Sequence, residues 1–263
     1  MKGITCQKIV APLRWRYQIP LLFALFSLLL PLACSSKKLG QGKTDKELFS
    51  QGELSLERED YQDSITFFKG LINRFPSSPY LEKAYFDLAR AQYLNEENVN
   101  AQVGFDDFIR LYPDSKLVPR ALLLKGKVLE LDVEKPGRDQ SSTLSAMKVY
   151  SELVQKYPST PEGKEGEKRY VILRGHMARN ELVIGMYYYK DKKYTSAKIR
   201  LERAFRDFSD TDAGPGIASL LGETYLKIGN LKGAGKLLKY LEKRSPGAKG
   251  TVKLRENMEG ATK

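Results

Sequence analysis

Residues that carry chemistry are scarce in this chain, which has one histidine, two cysteines and one tryptophan among 263 residues. The single histidine, His176, has no second imidazole for a metal site or a proton relay, and Cys6 and Cys34 supply no metal cluster and no nucleophile pair. No glycine-rich phosphate loop is present, since the glycines near 214–222 read as a helix start. Asp106-Asp107 and the trio Asp207, Asp210 and Asp212 read as surface acids and turn caps. A catalytic role is therefore not expected, and neither a cofactor nor a metal is called for. The one place left for an enzyme site is the charged loop 132–143.

Long apolar runs are also missing. The stretch Ile19 to Leu32 (IPLLFALFSLLLPL) follows a leader bearing Lys2, Lys8, Arg14 and Arg16 and no acid. As a helix it would reach about 21 Å, short of the ~30 Å hydrocarbon core of a bilayer. A basic leader, a short apolar stretch and small residues after it form the pattern of a secretory signal peptide, assigned here to residues 1–33. Leu32-Ala33-Cys34-Ser35-Ser36 resembles a bacterial lipobox, with Pro31 in place of the usual aliphatic residue. That resemblance implies cleavage before Cys34 and acylation of its thiol with palmitate-type chains, the covalent lipid being the only non-protein group expected. Cys6 leaves with the signal, so Cys34 would otherwise stand alone in an oxidising compartment. Residues 34–44 then form the lipidated cysteine and a polar, glycine-containing tether. Ser35 and Ser36, with no aspartate after the cysteine, resemble the pattern sorted to the outer membrane.

The formal charge of +12 is unevenly distributed. Residues 45–113 carry a net −6 and residues 215–263 a net +6. Such polarity favours oriented docking with protein partners, and no nucleic-acid reader motif accompanies the basic end.

What the chain has in abundance is repetition. With unit starts at 45, 82, 178 and 215, small and aromatic residues fall in register. The first unit offers Leu48, Gly52, Tyr61, Ser64, Phe68 and Pro76, and the second Leu88, Ala89, Ala101, Phe105 and Pro113. A third unit with Gly126, Ala146, Tyr150 and Pro158 carries about eight extra residues, placed at 132–143. The fourth has Gly185, Tyr188, Tyr194, Ala197 and Leu201, with Ser209 where proline is expected. The fifth has Leu221, Gly222, Tyr225, Ala234, Leu238 and Pro246. Small residues let paired helices approach, aromatics fill the gaps, and proline ends the second helix. The expectation is an all-α tetratricopeptide superhelix of about five hairpins, stable only because its units stack. Residues 45–160 would form an N-terminal half of three repeats and 161–263 a C-terminal half. The latter would open with a linking helix that either runs unbroken from Pro161 to Tyr189 or starts late or bends at its glycines.

These motifs resemble the BamD (YfiO/ComL-type) family of tetratricopeptide lipoproteins of the outer-membrane β-barrel assembly machinery. The similarity is carried by Asp60-Tyr61-Gln62-Asp63-Ser64-Ile65, by Asn73-Arg74-Phe75-Pro76-Ser77-Ser78-Pro79-Tyr80 and by Phe108-Ile109-Arg110-Leu111-Tyr112-Pro113. It continues in Arg138-Asp139-Gln140, Lys156-Tyr157-Pro158-Ser159-Thr160 and Arg206-Asp207-Phe208-Ser209-Asp210-Thr211. The resemblance implies a non-enzymatic component of the BAM complex at the periplasmic face of the outer membrane. Its partners would be the periplasmic domains of BamA, other BAM lipoproteins and the C-terminal signals of unfolded β-barrel proteins. It also places Arg200 where a family arginine meets BamA. A general periplasmic scaffold, associated with the envelope or with peptidoglycan, would share the anchor and the repeats.

Repeat geometry nominates a groove for the aromatic, carboxylate-terminated signal at Phe49, Leu56, Phe86, Arg90 and Tyr93. Phe49 and Phe86 either line that groove or pack between helices. The basic last unit, with Lys227 and Lys236 beside Arg200, is the candidate face for BamA, or else a solvated helix surface.

Overall fold

A hydroxyl and a carboxylate start the first helix. The Thr44 side chain accepts the Glu47 N–H while Glu47 accepts the Thr44 N–H at 2.8 Å, a reciprocal cap that also holds the Glu47 carboxyl below its ordinary range. The computed structural model describes residues 42–262, so the expected signal peptide, Cys34 and most of the expected tether lie outside the described residues. Among those described there are eleven helices. They are α1 (Asp45–Glu57), α2 (Tyr61–Arg74), α3 (Leu81–Leu94), α4 (Asn98–Leu111), α5 (Val118–Glu130) and α6 (Ser141–Lys156). The remainder are α7 (Pro161–Lys190), α8 (Tyr194–Phe208), α9 (Gly214–Lys227), α10 (Leu231–Arg244) and α11 (Lys249–Thr262).

The first ten helices pair as five hairpins, α1/α2 to α9/α10, and α11 closes the stack. Successive first helices (α1, α3, α5, α7, α9, then α11) touch one another, whereas successive second helices do not. The first-helix row is therefore the inside of the curve formed by residues 42–262.

Small residues set the hairpin spacing. A methyl added at Gly52 would lie 2.7 Å from the fully buried Phe68 ring, and one at Gly185 would lie 2.4 Å from Leu201. Gly126 meets Tyr150 in the same way, with the extra loop between them. Every first-to-second turn holds one left-handed residue: Glu59 (φ 64), Glu96 (φ 60), Gly137 (φ 91), Lys192 (φ 58) and Gly229 (φ 78). In four of these turns the following N–H reaches back to the helix, as in Asp60 to Ser55 O at 2.8 Å and Asn230 to Tyr225 O at 2.8 Å.

Proline follows the end of α2, α4, α6 and α10, but not of α8. There Ser209 stands in its place and side chains take over the carbonyls. Thr211 donates to Phe208 O at 2.7 Å, and Arg174 to Asp207 O at 2.7 Å.

α7 is one helix of 30 residues with no break. Three of its four glycines, Gly163, Gly166 and Gly185, sit where a neighbour leaves no room for a side chain: a Cβ at Gly163 would be 2.0 Å from Tyr157 O, and one at Gly166 would be 2.8 Å from Leu153. The unit start expected at 178 falls inside this helix, which therefore serves entirely as the first helix of the fourth hairpin.

Candidate functional site

Three of the five residues nominated for the N-terminal groove are core residues. Phe49 stacks on Tyr80 (centroids 4.9 Å apart) and tilts against Phe68, Phe86 packs edge-on to Phe108 at 5.5 Å, and Leu56 joins Ile65 and Ala91. All three are buried, because the face that points toward the inside of one hairpin is covered by the first helix of the next.

What faces outward there is charge. Lys83 joins α1 to α3, its ammonium meeting Glu53 and, at 2.7 Å, the buried Asp87, while it also lies 5.3 Å over the Phe49 ring. Burial pulls the Lys83 pKa down, but the hydrogen bonds it donates to Asp87 and Glu53 outweigh it and hold the ammonium above its ordinary range. Arg90 stands 3.9 Å from Asp87 and stays partly exposed. Tyr93 is half-buried and, with Leu94, Glu96, Asn98 and Leu131, lines an open depression of about 450 Å3. Arg90 and Tyr93 are thus the nominated pair that the structure leaves accessible. Sequence reasoning missed Lys83 and Asp87, whose only signal is their spacing of one helical turn on α3.

The inserted loop is a braced structural element. Buried Gln140 donates its side-chain amide toward the carbonyls of Glu134, Lys135 and Arg138 at 3.2–3.3 Å and accepts from Thr143. The Gly137 N–H donates to Asn180 Oδ1 at 2.8 Å, and the Glu134 carbonyl meets His176 Nε2 at 2.8 Å. His176 therefore pins the loop to α7. Among the described residues no group of three or more His, Cys, Asp or Glu is placed to hold a metal, and no helix is long and apolar enough to cross a membrane.

At the basic end, Arg200 is one-third exposed and paired with the carboxylate of Glu181 on α7, Nη2 donating to Oε1 at 2.9 Å. Lys236 rims an open cleft of about 590 Å3 between α8 and α10, floored by Phe205, Leu221 and Leu237. Lys227 lines a different depression beside Tyr189, Glu223 and Lys253. The two lysines do not share one depression.

The YfiO family model, described as an outer membrane lipoprotein, matches residues 41–239. Among curated proteins, the outer membrane protein assembly factor BamD of Pasteurella multocida is 26% identical over 206 residues, covering 74% of this chain and 79% of the relative. Its namesake in Haemophilus influenzae is 25% identical over 218 residues, covering 79% and 83%. The BamD of Neisseria meningitidis serogroup A is 25% identical over 211 residues, covering 76% and 79%. Among solved structures, a TPR repeats protein from Bacteroides fragilis aligns at TM-score 0.47 and 12% identity over 83% of this chain and 98% of that one.

Proposed function

Because the chain belongs to the YfiO family of outer membrane lipoproteins, we propose that it is a non-enzymatic assembly factor of the BAM complex, anchored by lipid on Cys34 at the periplasmic face of the outer membrane. The observation that carries this reading is the extent of the match, which runs through all of the first nine helices and into the tenth. Relatives of similar length bear the name of outer membrane protein assembly factor.

In this role the chain docks BamA through the second helices of its C-terminal hairpins, around Arg200 and Lys236. It receives the C-terminal signals of unfolded β-barrel proteins on its N-terminal inner face. Partly exposed Arg90 suits a terminal carboxylate, and Tyr93 an aromatic side chain. The 132–143 loop fits a structural part in this role, since Gln140, Asn180 and His176 hold its backbone in place.

Affinity purification of the tagged chain from detergent-solubilised outer membranes tests the reading. BamA is expected to co-purify, and radiolabelled palmitate to enter the chain only when Cys34 is present. Recovery of a folded, membrane-bound chain without BamA would replace this role with that of a general envelope scaffold.

A further inference from the structure

The last helix, α11, lies wholly beyond residue 239, where the family match stops. It is built into the fold. Leu254 is fully buried on Gly222, where an added methyl would lie 2.5 Å from it, and Gly250 packs so closely that a methyl there would lie 2.4 Å from Ser219 Oγ. α11 thereby extends the first-helix row by one member and forms the far wall of an open trough of about 420 Å3 between α7, α9 and itself.

The trough has two unlike ends. Its apolar stretch is lined by Leu182, Met186 and Leu220, with Met186 39% exposed. Its other end is a cluster in which Glu223 accepts from the Tyr189 hydroxyl at 3.1 Å and from the Lys253 ammonium at 2.8 Å. A second depression of about 350 Å3 shares those three residues and adds Lys227. Lys253 neutralises Glu223, whereas Lys190 and Lys227 are exposed and meet no carboxylate among the described residues. The surface therefore runs from an apolar floor to an end with two uncompensated positive charges.

We propose that this trough binds a polypeptide segment of a partner protein in which apolar side chains are followed by acidic ones. The inside of the curve is closed to a flat lipid surface but open along its length to a chain. The unpaired ammonium groups select carboxylates, and Met186 is an adaptable apolar contact of the kind used for varied peptide side chains. The site goes beyond the docking faces above, since Lys227 lies in this depression and not in the cleft of Lys236, and the far wall lies outside the matched family region.

Fluorescence anisotropy of the folded mature chain with two labelled peptides tests this: Leu-Leu-Val-Leu-Gly-Asp-Glu-Asp, and the same peptide with three lysines as its last residues. The acidic peptide is expected to bind at least about tenfold tighter. Lys190→Glu with Lys227→Glu should reverse that preference, and Met186→Glu should weaken both peptides, with helical circular dichroism unchanged in each variant. Equal affinity for the two peptides, no binding of either, or affinities untouched by these exposed substitutions would overturn the proposal. Displacement of the acidic peptide more readily by decanoate than by the unlabelled peptide would assign the trough to an acyl chain and overturn it as well.

Discussion

The guanidinium of Arg200 closes on the carboxylate of Glu181, a side chain only 7% exposed on the preceding helix. Removing one member leaves the other without its counter-charge. Arg200→Ala is expected to cost about 2–3 kcal/mol, below the full range for a buried pair because Arg200 keeps a third of its surface in water. Replacing both residues by leucine should recover most of that loss. Urea unfolding of the two variants checks this, and a double-leucine variant no more stable than Arg200→Ala would refute it. Any loss of BamA binding in an Arg200 variant has to be read beside that folding defect.

Three turns carry a left-handed residue with a side chain: Glu59, Glu96 and Lys192. Each conformation costs about 1 kcal/mol that glycine avoids. Glycine at each position should therefore raise the denaturation midpoint by a similar increment, and the three gains should add because the turns lie in different hairpins. A fall in midpoint for all three would contradict the geometry.

Gly52→Ala works in the opposite direction. The new methyl meets the Phe68 ring, which is fully buried and cannot swing outward. A loss of about 1–3 kcal/mol is expected. Phe68→Leu in the same chain should return part of it, because the smaller side chain frees volume beside the new methyl.

The fold was legible in the sequence where a residue type has a single physical use. Gly52 with Phe68, and Gly185 with Leu201, marked hairpins because only a small residue tolerates that approach. Proline marked the ends of second helices for the same kind of reason. Burial was harder to read. Phe49 and Phe86 satisfy a groove pattern and a core pattern equally well, and only the next hairpin's position decides between them. Arg90 and Tyr93 were legible as accessible, whereas the partners that orient the charged groups were not. Lys83 with Glu53, and Arg200 with Glu181, come from different helices, so their pairing depends on helix rotation. The trough was not legible at all, because it needs α11, which carries no repeat signature.

Alkaline conditions should loosen the C-terminal hairpins. Burial, then the nearby Glu223 carboxylate, pushes the Tyr189 hydroxyl up to about 12, and burial with Glu202 does the same for Tyr225. The folded state holds these protons more tightly than the unfolded chain. The stability they provide is therefore complete below about pH 10, the ordinary tyrosine value, and disappears as pH rises toward 12. Urea midpoints measured across that window should fall, and Tyr189→Phe should make the fall shallower. A midpoint that rises would reverse the sign of the argument.

The braced loop makes a prediction about proteolysis. Gln140→Ala removes the amide that gathers three carbonyls, leaving the 134–139 backbone to fray. Limited trypsin digestion should then cut after Arg138 several times faster than in the parent chain, while the rest of the protein resists. Unchanged cleavage would show that Asn180 and His176 hold the loop by themselves.

The uninterrupted α7 contributes Leu173 to the apolar cluster on its N-terminal side and Ala178 to the cluster on its C-terminal side. With about 1.5 Å of rise per residue, the helix is a stiff rod roughly 45 Å long. A tilt imposed on one end is delivered to the other without a hinge to absorb it. A load applied to the early repeats is thus transmitted to the later ones, and heat should melt both clusters together in one cooperative transition.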